Sequence, residues 1–407
     1  MLDITRLVSR AGEVLTGVDR VELAYLRRFI TLRDAPVFAL SRTAFGYIML
    51  DFAGCEAILA RIEGQAEWGE ADRLSRMARG ISVMQKRAQT DLRRMALARC
   101  RPYGLQKMLA SRLPRGAQYF NTGHSNLTDR TLHGLRHGPE AEINVLIHDA
   151  IPLDYPQYTR PEAVPRFAAM LRRVGAYADR VIYNSEDTRR RVEAYLDAAG
   201  APPCVVAHLG VTPAAPSPLP SDLARYTRPD AAPFFVILGT IEPRKNHALL
   251  LDIWDRMALD APDAPLPHLL ICGKRGWQNE AVFARLDALR DDSPLRELPN
   301  LTDGQITTLL THARALLFPS FAEGYGLPAV EAARLGCPVV ASDLPVFQEV
   351  LGALPVYAEV NDSYLWQKII IDLATNEQAT GTTDKGIPLQ FTAPDWDSHF
   401  NAVLRMA

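Results

Sequence analysis

The chain has 407 residues, of which 48% are hydrophobic and 23% charged, with 45 basic residues against 47 acidic ones. That balance excludes a disordered chain, a collagen-like repeat and a small disulfide scaffold, and a net charge of -2 gives no global pull towards nucleic acid. At roughly 150 residues per domain, the length implies two domains. The five cysteines form no CxxC pair, as expected of thiols in a reducing cytosol.

Taken in chain order, MLDITRLVSR lacks the apolar core of a signal peptide. The stretch TAFGYIMLDFAGC is short and carries Asp51, so no membrane span is expected. From Arg73 to Arg115, twelve Lys or Arg residues accompany a single acid, Asp91. Leu74, Met77, Ile81, Met84, Ala88, Leu92 and Met95 recur there at steps of three and four, which is a helical apolar stripe. Two readings stay open for residues 73–115: a core-packing helix pair with a solvated basic face, or a basic amphipathic surface for anionic lipid headgroups. Asn121 to Asn126 reads as a loop after a strand, facing a cleft. His124 and Asn126 are acceptor-site candidates in it, beside the plainer reading of a structural loop. His124, His133 and His137 lack the Cys or carboxylate that would complete a zinc spacing, and no metal is expected.

The runs INVLIHD, DRVIYNS, PCVVAHLG, FFVILG, HLLICG, ARALLFPS and CPVVAS are rich in Val, Ile and Leu and are closed by Gly, Pro, Ser or Asp. Amphipathic helical patterns separate them. Near-continuous apolar strands alternating with helices predict parallel sheets covered by helices on both faces. A Pro-, Ala- and Ser-dense linker, 213–233, divides domain 1–212 from domain 234–380, and TNEQATGTTDKGIPLQ leads into a helical segment within 381–407.

Chemistry concentrates in the second half. The strand FFVILG runs into Thr240-Ile241-Glu242-Pro243-Arg244-Lys245-Asn246, where Arg244 and Lys245 at a strand's carboxyl end suit a diphosphate. In ARALLFPSFAEGYGLPAVEAARLGCPVVASD a strand ends at FPS and a loop carries Glu323-Gly324-Tyr325-Gly326. A helix then opens with Pro328 in its first turn. Amide groups at that helix start, reached closely through two glycines, make an anion site. Glu331 follows Glu323 by eight residues. Two acids flanking an anion site should accept hydrogen bonds from hydroxyls on either side, which is the layout of a nucleotide sugar.

E-x7-E within FAEGYGLPAVEAARLGCPVVAS, with GTIEPRKN upstream, resembles the retaining glycosyltransferases of family GT4. In the first half, Thr16-Gly17-Val18-Asp19-Arg20 is similar to the family's glycine-containing loop, and INVLIHDAIPLDYP to the strand that ends in a histidine. The resemblance implies the GT-B fold, two Rossmann-like doubly wound parallel-sheet domains facing a cleft. It implies that Glu323 contacts the donor sugar together with the amides of Gly324, Tyr325, Gly326 and Leu327. Glu331 would hold the ribose hydroxyls, Arg244 and Lys245 the diphosphate, and His148 the sugar ring from the other domain. Gly17 would lie on the acceptor side. In HLGVTP, Leu209 stands where the family has asparagine, and that loop is assigned no ligand contact.

The implied reaction moves a hexose, mannose first, from a GDP- or UDP-hexose to a surface-polysaccharide or lipid-linked saccharide hydroxyl. It needs no other cofactor, no metal and no nucleic acid. The implied location is the cytoplasm, with peripheral contact at the inner membrane face through residues 73–115. Three other readings remain: GYGLPA with Asp343 as an NAD fingerprint of an oxidoreductase, a GT-B sugar-nucleotide epimerase, and a non-catalytic nucleotide-binding scaffold.

Overall fold

A computed structural model describes residues 1–32, 35–196, 200–228, 230–375 and 391–404. The strands of the first sheet are β1 (Leu2–Asp3), β2 (Ala39–Thr43), β3 (Gly46–Leu50), β4 (Ala98–Cys100), β5 (Gln118–Asn121), β6 (Glu142–Ile147), β7 (Arg180–Tyr183) and β8 (Cys204–Val206). Those of the second are β9 (Phe234–Leu238), β10 (His268–Cys272), β11 (Leu295–Leu298), β12 (Ala315–Phe318), β13 (Val339–Ser342) and β14 (Val356–Ala358). The orders are β4-β3-β2-β1-β5-β6-β7-β8 and β11-β10-β9-β12-β13-β14.

All pairings in the second sheet are parallel, and its strand order is that of a doubly wound dinucleotide-type fold. Helices cover both faces, with Trp254 and Trp366 fully buried beneath them. The first sheet corrects the expectation of purely parallel strands, because β3 pairs antiparallel with both β2 and β4 at one edge. A tight turn at Ala44–Phe45 permits the reversal. It ends at Gly46, which sits at φ +136° and where a Cβ would lie 2.1 Å from the Cys100 carbonyl oxygen.

Between the two sheets, residues 208–220 have no regular structure, while the turn Ala224–Thr227 packs Tyr226 against Phe234 and His268 of the second sheet. The Trp396–Leu404 helix lies on the first domain, where the Tyr25 hydroxyl meets His399 Nε2 at 2.8 Å and the Phe400 ring lies 4.9 Å from that of Tyr25. Most of TNEQATGTTDKGIPLQ, residues 376–390, falls outside the described residues. No helix among the described residues is long and apolar enough to cross a membrane.

The basic stretch is not one stripe. It divides into the helices Arg73–Met77, Val83–Arg94 and Leu105–Arg112, with β4 between the last two. Ala88 and Leu92 are buried, whereas Met77 and Val83 are 73% and 74% exposed. Several of its arginines work inside the fold. Arg87 donates to the Trp68 and Gly69 carbonyls, and Arg93 reaches Asp72 at 2.6 Å with a side chain only 7% exposed.

Candidate active site

In a doubly wound sheet, the crevice lies where the strand order reverses, outside the carboxyl ends of the two central strands. In the second domain that point is between β9 and β12. β9 delivers Arg244 and Lys245 to it, and β12 delivers the Glu323 loop. Ser320 donates to Glu323 Oε1 at 2.7 Å, Lys245 Nζ binds the same oxygen, and Arg244 Nη1 lies 3.0 Å from Oε2. Burial alone would push this carboxyl up. The charges and hydrogen bonds of Lys245 and Arg244 outweigh it and hold Glu323 down to about 2. Burial conversely lowers Lys245, whose ammonium also sits 4.4 Å from the centre of the Phe318 ring. Arg244 is anchored to Glu242 at 2.6 Å and to the Ala322 carbonyl at 3.0 Å.

The loop between Glu323 and the Leu327–Arg334 helix requires both glycines. A Cβ on Gly326, at φ +83°, would meet Phe347 Cε1 at 2.4 Å, and one on Gly324 would meet the His148 carbonyl oxygen at 2.4 Å. Among the described residues, the amides of Gly324, Tyr325 and Gly326 donate to no other backbone group. With Leu327 N they stand at the helix start, where an anion is favoured. The Tyr325 ring turns inward and its hydroxyl donates to the Leu209 carbonyl at 2.9 Å. The 209 loop therefore meets the second domain through its main chain.

The first domain faces this loop with the carboxyl ends of β5 and β6. His148 Nε2 lies 2.6 Å from the Thr122 carbonyl oxygen, so this nitrogen carries the proton and Nδ1 keeps its lone pair. Burial holds the ring down to about 4, neutral at physiological pH. His124 lies beside it, its ring tilted at 55° with centres 5.1 Å apart, and hydrogen-bonds the Leu146 carbonyl at 2.9 Å. It stands apart from the His133–His137 pair on another helix, and among the described residues no three His, Cys, Asp or Glu side chains are placed to hold a metal. Asn126 is used internally: it donates to Asp3 at 2.7 Å and accepts from Thr131 at 2.9 Å. Gly17 opens the Gly17–Thr31 helix, and a Cβ there would sit 3.3 Å from Leu327 Cδ1.

Glu331 lies 2.8 Å from Arg20 Nη1, so a cation of the first domain meets an acid of the second. Burial pushes the Glu331 carboxyl up, Arg20 pulls it down, and the nearby Asp303 adds to the rise.

Sequence reasoning assigned no role to Arg20, Ser320 or Asp149. Asp149 follows His148 and is partly buried, and one of its oxygens accepts from Ile151 N at 3.0 Å. Burial raises its carboxyl, opposed by Arg244 across the cleft. Its position directly after a strand-end histidine was the available signal. For Arg20 the signal was weaker, a cation one helical turn beyond Gly17.

The cleft is closed here. Thr188 Oγ1 donates to the Gly324 carbonyl at 3.2 Å, and Glu349 accepts from the Glu186 and Asp187 amides at 2.6 and 3.0 Å. A cavity of about 10 Å³ remains between Asp149, Tyr155 and Glu323, room for about one water. A larger one of about 560 Å³ lies beside Glu331, between the Gly17–Thr31 helix, residues 210–214 and the Trp396–Leu404 helix.

Residues 221–380 match the family model described as Glycosyl transferases group 1. The second domain belongs to that family. Serotype-specific mannosyltransferase WbdA of Escherichia coli is 32% identical over 220 residues, which are 50% of this chain and 26% of that protein. O-antigen chain mannosyltransferase B of Escherichia coli is 33% identical over 129 residues, 32% of this chain and 33% of that one. The chain thus spans a third or less of the length of these curated relatives. Among solved structures, HepE of Anabaena in complex with UDP-glucose superposes with a TM-score of 0.55, at 16% identity and 81% coverage of both chains. Its complex with UDP and glucose gives 0.53 at 17% identity, covering 69% of this chain and 73% of that one. The fold is GT-B, shared with these structural neighbours.

Proposed function

We propose that the chain is a retaining hexosyltransferase that moves mannose from GDP-mannose to a hydroxyl of a surface-polysaccharide or lipid-linked saccharide. The observation that carries this reading is Glu323. Its side chain is only 6% exposed and is held ionised by Lys245 and Arg244, at the switch point of the sheet and beside helix-start amides that, among the described residues, donate to no other backbone group. A carboxylate so placed accepts hydrogen bonds from sugar hydroxyls, while the two cations and the amides lie where a diphosphate leaves. The names of the mannosyltransferase relatives support mannose and a polysaccharide acceptor, and HepE's UDP-glucose complex supports a nucleotide-sugar donor.

In the reaction, the acceptor oxygen bonds to the sugar's anomeric carbon on the face from which the diphosphate departs. The bond from that carbon to the phosphate oxygen breaks. The acceptor's proton passes to the departing phosphate oxygen, so no protein base is required. Arg244 and Lys245 neutralise the growing charge in place of a metal. The cleft must open to admit the donor and close again to exclude water. The dinucleotide alternative is disfavoured, because β12 ends at Phe318, well short of Gly324, where the dinucleotide fingerprint needs a tight turn.

Incubation with GDP-mannose and a methyl mannoside, followed by NMR of the product, tests the reading. An α-linked product formed equally well with EDTA is expected. A β-linked product, or activity lost to EDTA, contradicts it. Membrane contact is the second part of the proposal. The exposed residues suited to it are Arg73, Arg76 and Arg79 around Met77 and Val83, not the internally bonded Arg87 and Arg93. On that reading the protein works in the cytoplasm at the inner membrane face.

A further inference from the structure

Arg20 is the point at which the first domain reaches the acids of the second. Its guanidinium spans Glu331 at 2.8 Å and Asp303, 311 and 283 residues away in sequence. The helix that carries it is firmly placed. Thr16 N donates to Asp19 at 2.7 Å, and fully buried Asp19 is held by Arg6 at 2.6 Å. Gly17, one turn earlier, lies against Leu327 at the start of the helix that bears Glu331.

We propose that Arg20 is the positioning residue for the nucleotide-binding carboxylate: from the first domain it keeps Glu331 ionised and aimed, so that closure of the cleft completes the donor site. The proposal rests on the reading of Glu331 as the group that accepts the ribose hydroxyls. Those hydroxyls need a carboxylate, because a protonated acid gives up part of its acceptor capacity. Glu331 is mostly buried and shares its surroundings with the carboxylate of Asp303, and both conditions favour protonation. Arg20 is the cation that opposes them. Of the other charged groups around the 560 Å³ cavity, Arg27 is paired with Glu63 and Arg28 with Asp397. On the Glu331 helix itself, Arg334 donates to the Val211 carbonyl. Without Arg20, Glu331 faces Asp303 with no partner of opposite charge among the described residues.

The experiment is calorimetric titration of the full chain with GDP between pH 7.5 and 5.5, comparing wild type, Arg20→Gln with and without Asp303→Asn, Arg20→Lys and Glu331→Gln. Arg20→Gln is expected to lose affinity steeply as the pH falls, up to about tenfold per unit beyond any loss in wild type. Proton uptake by GDP itself is common to all variants and cancels in the comparison. Arg20→Lys should restore much of the wild-type profile, and Asp303→Asn added to Arg20→Gln should make its fall less steep. An Arg20→Gln profile parallel to wild type, with Glu331→Gln still weakened at every pH, overturns this proposal and leaves the donor site intact. Full affinity in Glu331→Gln overturns both. If Arg20→Gln folds poorly, Arg20→Met carries the same expectation, and a profile parallel to wild type in that variant also counts against the proposal.

Discussion

Replacing Glu323 by Gln removes the negative partner of buried Lys245 and partly buried Arg244 while keeping the shape of the side chain. Gln imitates the protonated acid, so its cost at neutral pH is how much more the fold than the unfolded chain favours the ionised form over the protonated one. A carboxyl held at about 2 instead of 4.5 corresponds to about 3 kcal/mol. That agrees with the ~3–5 kcal/mol typical of breaking one side of a buried ion pair. The sign follows from linkage. A carboxylate whose folded pKa is depressed stabilises the fold fully above its unfolded value, and the contribution fades as pH falls from about 4.5 towards about 2. Urea unfolding of both proteins at pH 7, 5 and 4 should therefore show a gap of about 3 kcal/mol at pH 7 and 5 that begins to narrow at pH 4. Equal stability at pH 7 would refute the claim that Lys245 and Arg244 hold this carboxylate in its ionised form.

Other outcomes follow from the same geometry. Gly326→Ala should cost at least about 1 kcal/mol in thermal unfolding and impair donor binding, because the new methyl strikes Phe347 at a positive φ. His148, held down to about 4, should give no inflection between pH 5 and 8 in transfer-rate profiles. Its stabilising contribution is complete above its ordinary value of 6.5 and is lost as pH falls through about 4. Charge reversal at Arg73, Arg76 and Arg79 should abolish sedimentation with anionic vesicles, and unchanged sedimentation would remove the membrane contact from the account.

Much of the architecture was legible in the chain, for a physical reason. β6, β7, β9, β10, β12 and β13 lie inside parallel sheets and are buried on both faces, so they appear as unbroken apolar runs. The elements that escaped are short or at edges. β1 has two residues, and β4 at the sheet edge reads Ala-Arg-Cys, with no buried residue to give a pattern. The basic stretch misled because charge alone does not say where a side chain points. Asp72 and Asp91, with neighbouring carbonyls, take up Arg93, Arg94 and Arg87 inside the first domain. At the site, Arg244, Lys245, Glu323 and Glu331 were visible because loops after strands carry function and their spacing was local. Arg20 was not, since its partners lie hundreds of residues away and only the folded chain brings them together.

The most direct test of the donor site is thermal stabilisation by GDP, UDP and NAD in wild type and in Glu331→Ala. A nucleoside diphosphate at a hundred times its dissociation constant adds about 2.7 kcal/mol. Stabilisation by GDP, reduced in Glu331→Ala and absent with NAD, is the predicted result. Stabilisation by NAD alone, or an equal GDP response in both proteins, would contradict it.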